Sequence, residues 1–201
     1  MFTFTDGGLT LIPGIVVPIA AIPIAVWILR RDADPRWTIM AMLALVHITL
    51  VVALTIFPVP VGGQEYYRHT RGMSEDNIVP FATIADQMLH PGLNTIRQLS
   101  GNVLILMPVG IYGPALWPAL RDWRRFVLVA VAFGIGIELT QYAGSVVEGF
   151  TYRVTDIDDA IMNAAGAVAA FLVWPRLART TLVASLAARM SDSDHVARDT
   201  R

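Results

Sequence analysis

The densest potential chemistry in this sequence is the run Arg153-Val154-Thr155-Asp156-Ile157-Asp158-Asp159, which leads straight into an apolar stretch containing Asn163. If Asp156 opens a helix, then Asp156, Asp159, Asn163 and Gly166 fall at i, i+3, i+7 and i+10, one stripe along one face. Glu138 and Gln141 are three apart inside another apolar stretch and share a face. Asn102 lies just inside a third. An acid at the centre of a membrane helix costs about 2.5–3.5 kcal/mol, so these residues should face the bundle and find partners. Carboxylates so gathered could divide acid and base roles or, with an amide, bind a hard cation. Arg153 is the nearest cation and could pair with Glu138 or with an anionic ligand. A plainer alternative stays open: Asp156 and Asp158 cap a helix, while Glu138, Gln141 and Asn163 tie helices together.

Other chemistries have little support. There is no cysteine, which excludes disulfides and thiolate sites. His47, His69, His90 and His195 are scattered, with no HExxH or other histidine-rich pattern, and neither a metal nor a cofactor is expected. Ser100 and Ser145 have no nearby His partner in sequence. No basic patch interleaved with aromatics suggests nucleic acid.

The elements that must position these residues follow from composition. Of 201 residues 55% are hydrophobic and 15% charged, against about 25% charged in an ordinary soluble domain. The charges sit between five apolar stretches, at 9–29, 38–58, 99–120, 126–144 and 159–177. Each approaches the ~20 residues needed to cross ~30 Å of hydrocarbon. In lipid the backbone must satisfy itself, which makes the stretches helices. A soluble bundle would need a polar face on each helix, and none shows one. The expected fold class is therefore all-α: a polytopic transmembrane bundle of about five spans.

Arg placement orients the bundle. Arg30, Arg31 and Arg36 crowd the first loop, Arg121, Arg124 and Arg125 the third, and five more Arg the segment from Arg176 onward. The fourth loop has only Arg153, and the second spreads Arg68, Arg71 and Arg97 over a long segment. The positive-inside rule then puts the N-terminus and loops two and four outside and the C-terminus in the cytoplasm. The first stretch has no basic residue ahead of it, unlike a secretory signal, and reads as a retained helix. Running outward from Phe126, the fourth helix carries Glu138 about 18 Å up, into the outer half. Asn102, Glu138, Gln141, Arg153, Asp156, Asp159 and Asn163 then meet near the outer surface as a polar pocket.

Smaller features complete the picture. Pro13, Pro18 and Pro23 mark a kinked peripheral first helix. Ala132, Gly136, Thr140 and Gly144 recur every four residues, suited to close packing against the Ala-rich fifth helix. Loop two, 59–98, is too long for a plain connector. Within it Pro80, Phe81, Ile84 and Met88 suit a short helix lying on the membrane, started by Ser74 or Asp76 and ended by Pro91-Gly92. Asn77, Pro80 and Phe81 would form a lid. The segment 176–190 suits the inner leaflet, and disorder is expected after Ser191.

Four blocks resemble the VanZ-like family of bacterial membrane proteins: Asn77-Ile78-Val79-Pro80-Phe81; Gly101-Asn102 through Pro108 and Gly110; Ile137-Glu138-Leu139-Thr140-Gln141; and Arg153 through Asp156, Asp159, Asn163 and Gly166. They cover about Asn77 to Trp174. The chain departs from the pattern at Ile105-Leu106-Met107, where an aromatic is expected, and at Gly136, where a Ser is expected. The resemblance implies a division into an N-terminal two-helix hairpin (1–75), a VanZ-like domain (76–177) and a cytoplasmic tail (178–201). It also implies a role at the cell envelope, linked in the family to low-level teicoplanin-type glycopeptide resistance. The reading is a multi-pass cell-membrane protein whose partners are the lipid bilayer and a lipid-linked or cell-wall ligand, with oligomeric state open. The alternative is a membrane-embedded enzyme acting on a lipid phosphate, with carboxylates as acid and base and a metal as an optional helper. A transporter is disfavoured, because no inverted repeat or pair of broken helices is evident.

Overall fold

Long apolar runs punctuated by Pro and Arg give helices whose ends are set by those punctuators. The computed structural model describes residues 2–5, 8–11, 13–31, 33–56, 59–61, 76–149, 151 and 153–177. Helix α1 spans Pro13–Arg30 and α2 Pro35–Thr55, each opening on a Pro. Pro suits that first position because its missing N–H would have no helical acceptor there anyway. Next come α3, Ala82–Leu89, α4, Leu93–Leu106, and α5, Val109–Leu116. A 3-10 turn at Pro118–Arg121 leads into α6, Trp123–Glu148, and α7, Ile157–Leu177, completes the described chain. Asp122 caps α6 by accepting the Arg125 N–H at 3.0 Å, and Gly149, at φ 74°, ends it in the left-handed region.

Four helical segments are long and apolar enough to cross a membrane: Trp37–Thr55, Thr95–Leu116, Trp123–Glu148 and Ile157–Arg176. The first expected span is a shorter apolar helix, Val17–Arg30. It starts later than expected because Gly8–Leu11 is a strand. That strand pairs antiparallel with Phe2–Thr5 on one side and Val59–Val61 on the other, joining the start of α1 to the segment after α2. The alternating Thr and apolar residues of Phe2–Thr5 and Leu9–Leu11 carry the two-residue period that favours this pairing. The proposed start of the loop-two helix at Ser74, together with His69, Arg68, Arg71, the inner-leaflet segment beyond Leu177, His195 and the rest of the tail, lies outside the described residues.

The third span is not one continuous helix over 99–120. It begins at Leu93 and breaks at Met107-Pro108, where Pro cannot donate into the helical ladder. His47 of α2 spans this break. Its Nε2 lies 2.8 Å from the Ile105 carbonyl oxygen, and its Nδ1 lies 3.1 Å from the Tyr112 hydroxyl. A carbonyl only accepts, so Nε2 carries the proton and the hydroxyl can donate to Nδ1.

Helix α7 is central, with α6 against one face and α4 and α5 against others. Three glycines allow this closeness. A Cβ on Gly166 would collide with the Val103 carbonyl of α4. One on Gly134 would come within 2.6 Å of the Ala160 oxygen, and one on Gly110 within 2.6 Å of the Phe171 nitrogen. Phe126 and Phe171 stack at 4.3 Å between α6 and α7. The helix pair expected to pack closely does so, but not through the expected row. Ala132 and Thr140 are exposed, and a Cβ on Gly136 would meet nothing within 4 Å. Ala132, Gly136 and Thr140 instead line an open apolar groove of about 460 Å³ between α2 and α6. A period of four marks a stripe on a helix but not which neighbour faces it.

The outer surface is apolar along its length: Leu43, Leu50, Leu54, Leu128 and Leu139 are all well exposed. So continuous an apolar surface is what a bilayer covers.

Candidate functional site

At the end of the bundle away from the Arg-rich loops, residues 76–89 return to the mouth of α7 and bind it almost entirely through polar groups. The main chain of Asn77 forms a parallel bridge with Asp156. Its N–H donates to the Thr155 carbonyl, and its own carbonyl accepts the Ile157 N–H, both at 2.9 Å. The Asn77 side chain donates to Asp156 Oδ1 at 2.8 Å and to the Thr83 hydroxyl oxygen at 2.9 Å. Asp76 Oδ1 accepts the Thr155 N–H at 2.8 Å.

The carboxylates of the Asp156–Asp159 run have separate duties. Asp156 Oδ1 also accepts the Asp158 N–H at 2.9 Å, a local cap on α7. Asp156 offers its own N–H to Glu138 Oε2 of α6, at 2.8 Å. Asp158 points the other way, accepting the Phe81 N–H at 2.5 Å and the Ile84 N–H at 3.0 Å. Helix α3 is thus capped by a carboxylate 74 to 77 residues ahead in sequence, and not by Asp76, which accepts the Thr155 N–H instead. Phe81 pays for this with φ 67°, among the described residues the one non-Gly position with positive φ. Asp159 accepts a hydrogen bond from Asn102 Nδ2 of α4. Three separate helices and one returning loop therefore meet here, as the sequence suggested. Glu138, Asp156, Asp158 and Asn163 are at most 6% exposed.

The expected residues do not all join this cluster. Gln141 Nε2 donates to the Thr55 carbonyl at 2.7 Å, and Arg153 Nη2 donates to the Leu54 carbonyl at 3.1 Å. Both serve the C-terminal end of α2, where helical carbonyls lack intrahelical donors and the dipole favours a cation. Gln141 works as a tie between spans, a reading the sequence left open, whereas Arg153, expected to pair with Glu138 or an anionic ligand, holds the loop before α7 to α2. Asn163 sits one turn below Asp159, 2% exposed, and its Oδ1 has no hydrogen-bond partner. Of the expected lid, Asn77 belongs to the network, while Pro80 and the Phe81 ring face outward. No residue of α3 is buried, and Met88 and Leu89 are 70% and 76% exposed. Asp158 was the residue that sequence reasoning left out of the cluster. It lies off the Asp156–Asp159–Asn163 stripe, and only the returning loop gives it partners.

The cluster is rich in acceptors. Five carboxyl groups, those of Asp76, Glu138, Asp156, Asp158 and Asp159, accept from donors that are mostly backbone N–H groups and side-chain amides, while the Asn163 carbonyl oxygen has no partner. Such a site favours a ligand group that donates hydrogen bonds or carries positive charge. Among the described residues no three His, Cys, Asp or Glu converge in an arrangement able to hold a metal ion.

No curated protein and no solved structure matches the chain. The family model described as VanZ/LLP1 matches residues 44–179. The match starts inside α2, upstream of the first block of resemblance at Asn77, and takes in every member of the polar cluster. Because it spans more than half of a four-span apolar bundle built around that cluster, the chain belongs to the VanZ/LLP1 family of membrane proteins.

Proposed function

We propose that this is a non-transporting cell-envelope protein whose polar end faces outward and binds a donor-bearing group of a lipid-linked or cell-wall molecule. The outward orientation rests on the Arg-rich loops at the opposite end. The observation that carries the binding role is Asn163. A buried amide oxygen without a partner is costly, about 1–3 kcal/mol, and a ligand hydroxyl or amine beside Asp159 would satisfy it. Glu138, Asp156 and Asp159 supply the remaining acceptors, and Asn102 orients Asp159. Residues 77–81, held by Asp158, act as the lid, with Pro80 and Phe81 at its outer side. Arg153, at the edge, orients α2 and can reach an anionic group on the same ligand. The family resemblance points this activity toward glycopeptide or lipopeptide exposure at the envelope.

The test combines Asn163→Leu with Asp159→Asn, each checked for abundance and insertion. Either change should abolish a teicoplanin phenotype in a host that gains one from the wild-type chain. Retention of the full phenotype in both variants would refute the site. A reporter active only outside the cell, fused after Arg201, should be silent; activity there would reverse the orientation.

One contact favours a second reading, an enzyme acting on a lipid phosphate. Glu138 Oε2 accepts the Asp156 backbone N–H, which brings carboxyl-bearing residues of α6 and of the mouth of α7 to one place, as acid–base chemistry requires. Turnover of a polyprenyl phosphate by the purified chain, lost in Glu138→Gln, would establish it. No turnover with or without divalent ions would remove it.

A further inference from the structure

All five tryptophans lie at the Arg-rich end: Trp27 near the end of α1, Trp37 at the start of α2, Trp117 and Trp123 around the 3-10 turn, and Trp174 near the end of α7. Tryptophan concentrates at the level of lipid headgroups, so this end sits at a membrane interface. There α1, α2, α5 and α6 leave a groove of about 340 Å³ between them. Its walls include Ile28, Ala44 and Val109, with Trp27, Trp37 and Arg31 around them. Inside, the walls are apolar and the Tyr112 hydroxyl is already engaged by His47, so the charged group Arg31 is what marks this groove for a polar ligand atom. An occupant must therefore be apolar along most of its length. A neighbouring helix, about 10 Å across, is too thick for so small a space.

The cation among the lining residues is held in position. The Arg31 guanidinium lies 4.6 Å from the centre of the Trp27 ring and 5.3 Å from that of Trp37. Stacking on two rings fixes its direction while leaving its N–H edges available to oxygen acceptors. Among the described residues no carboxylate pairs with it. An apolar slot with an oriented guanidinium matches one molecule in the leaflet: a lipid with an apolar tail and an anionic phosphate.

We propose that this groove is a binding site for one anionic phospholipid, with an acyl chain against Ala44, Ile28 and Val109 and the phosphate on Arg31. The site is independent of the polar cluster at the other end. Full-length protein is purified from bilayers holding equal phosphatidylglycerol and phosphatidylcholine of identical chains, and retained lipid is read by native mass spectrometry. Wild type should retain phosphatidylglycerol about fivefold over phosphatidylcholine, the scale of one Arg at an anionic lipid. Arg31→Gln should bring the ratio to about one, while Arg30→Gln, removing the adjacent charge outside the groove, should leave it within about twofold of wild type. Ala44→Phe, which fills the slot, should lower retention of both lipids. Equal retention by wild type, an unchanged ratio in Arg31→Gln, or an equal loss in Arg30→Gln would each overturn the proposal. The Arg31 and Arg30 variants alter exposed side chains, so they decide the matter even if Ala44→Phe does not fold.

Discussion

The two ends of this bundle are built by opposite means. At the polar end, backbone N–H groups and amides from distant segments find carboxylates, and almost every contact is a directed hydrogen bond. At the Arg-rich end, Phe126 stacks on Phe171, Trp174 packs with Ala115 and Met40, and Arg31 rests on two indoles. The difference shows how a membrane protein can separate tolerance from precision. Apolar contacts are non-directional and can leave a groove for lipid. Buried carboxylates must be satisfied in detail, which makes the contacts at the polar end specific.

The comparison is sharpened most by glycines that bring helices together below both ends. Gly166→Val should cost about 3 kcal/mol or more, because its Cβ would overlap the Val103 carbonyl and force α4 from α7. Thermal inactivation in detergent should show loss of folded protein, whereas wild-type stability would mean that the helices are not so close.

Next comes Asp158→Ala, which strips the cap from α3 and leaves two N–H groups unpaired, at about 1–3 kcal/mol. The loss should be local. Hydrogen exchange should rise at residues 81–89 and stay unchanged in α6. Uniform exchange increases would show that the polar end is no separate unit.

A smaller effect of opposite sign is expected for Phe81→Gly, which relieves a left-handed bulky residue and should stabilise the 77–89 segment by about 1 kcal/mol. Faster exchange there would show that the Phe81 ring contributes more than its strain removes. Smallest is Gly136→Ala, which meets nothing within 4 Å and should shift stability by no more than about 0.5 kcal/mol. A large loss would restore the four-residue row as a packing face.

Much of this was legible beforehand where one physical rule dominates. Apolar length identified the spans, and the expense of acids in lipid marked Glu138, Asp159 and Asn163 as inward-facing. The start of α1 was missed because strand pairing with Val59–Val61 outweighs the helical reading of Leu9–Leu11. The break at Pro108 was visible as a Pro but not given its weight, since lipid spans tolerate Pro when a neighbour such as His47 covers the interruption.

By itself the sequence determined that the chain enters a membrane, roughly where it does so, and which polar residues cannot face lipid. Those properties depend on composition and helical period, which are local. Only the tertiary structure decided the partners. It turned Gln141 and Arg153 to the end of α2, aimed Asp158 at α3, and placed Gly134 rather than Gly136 against α7. A hydrogen bond needs its donor and acceptor within about 3 Å, and that proximity comes from how whole helices stack, which no local spacing encodes.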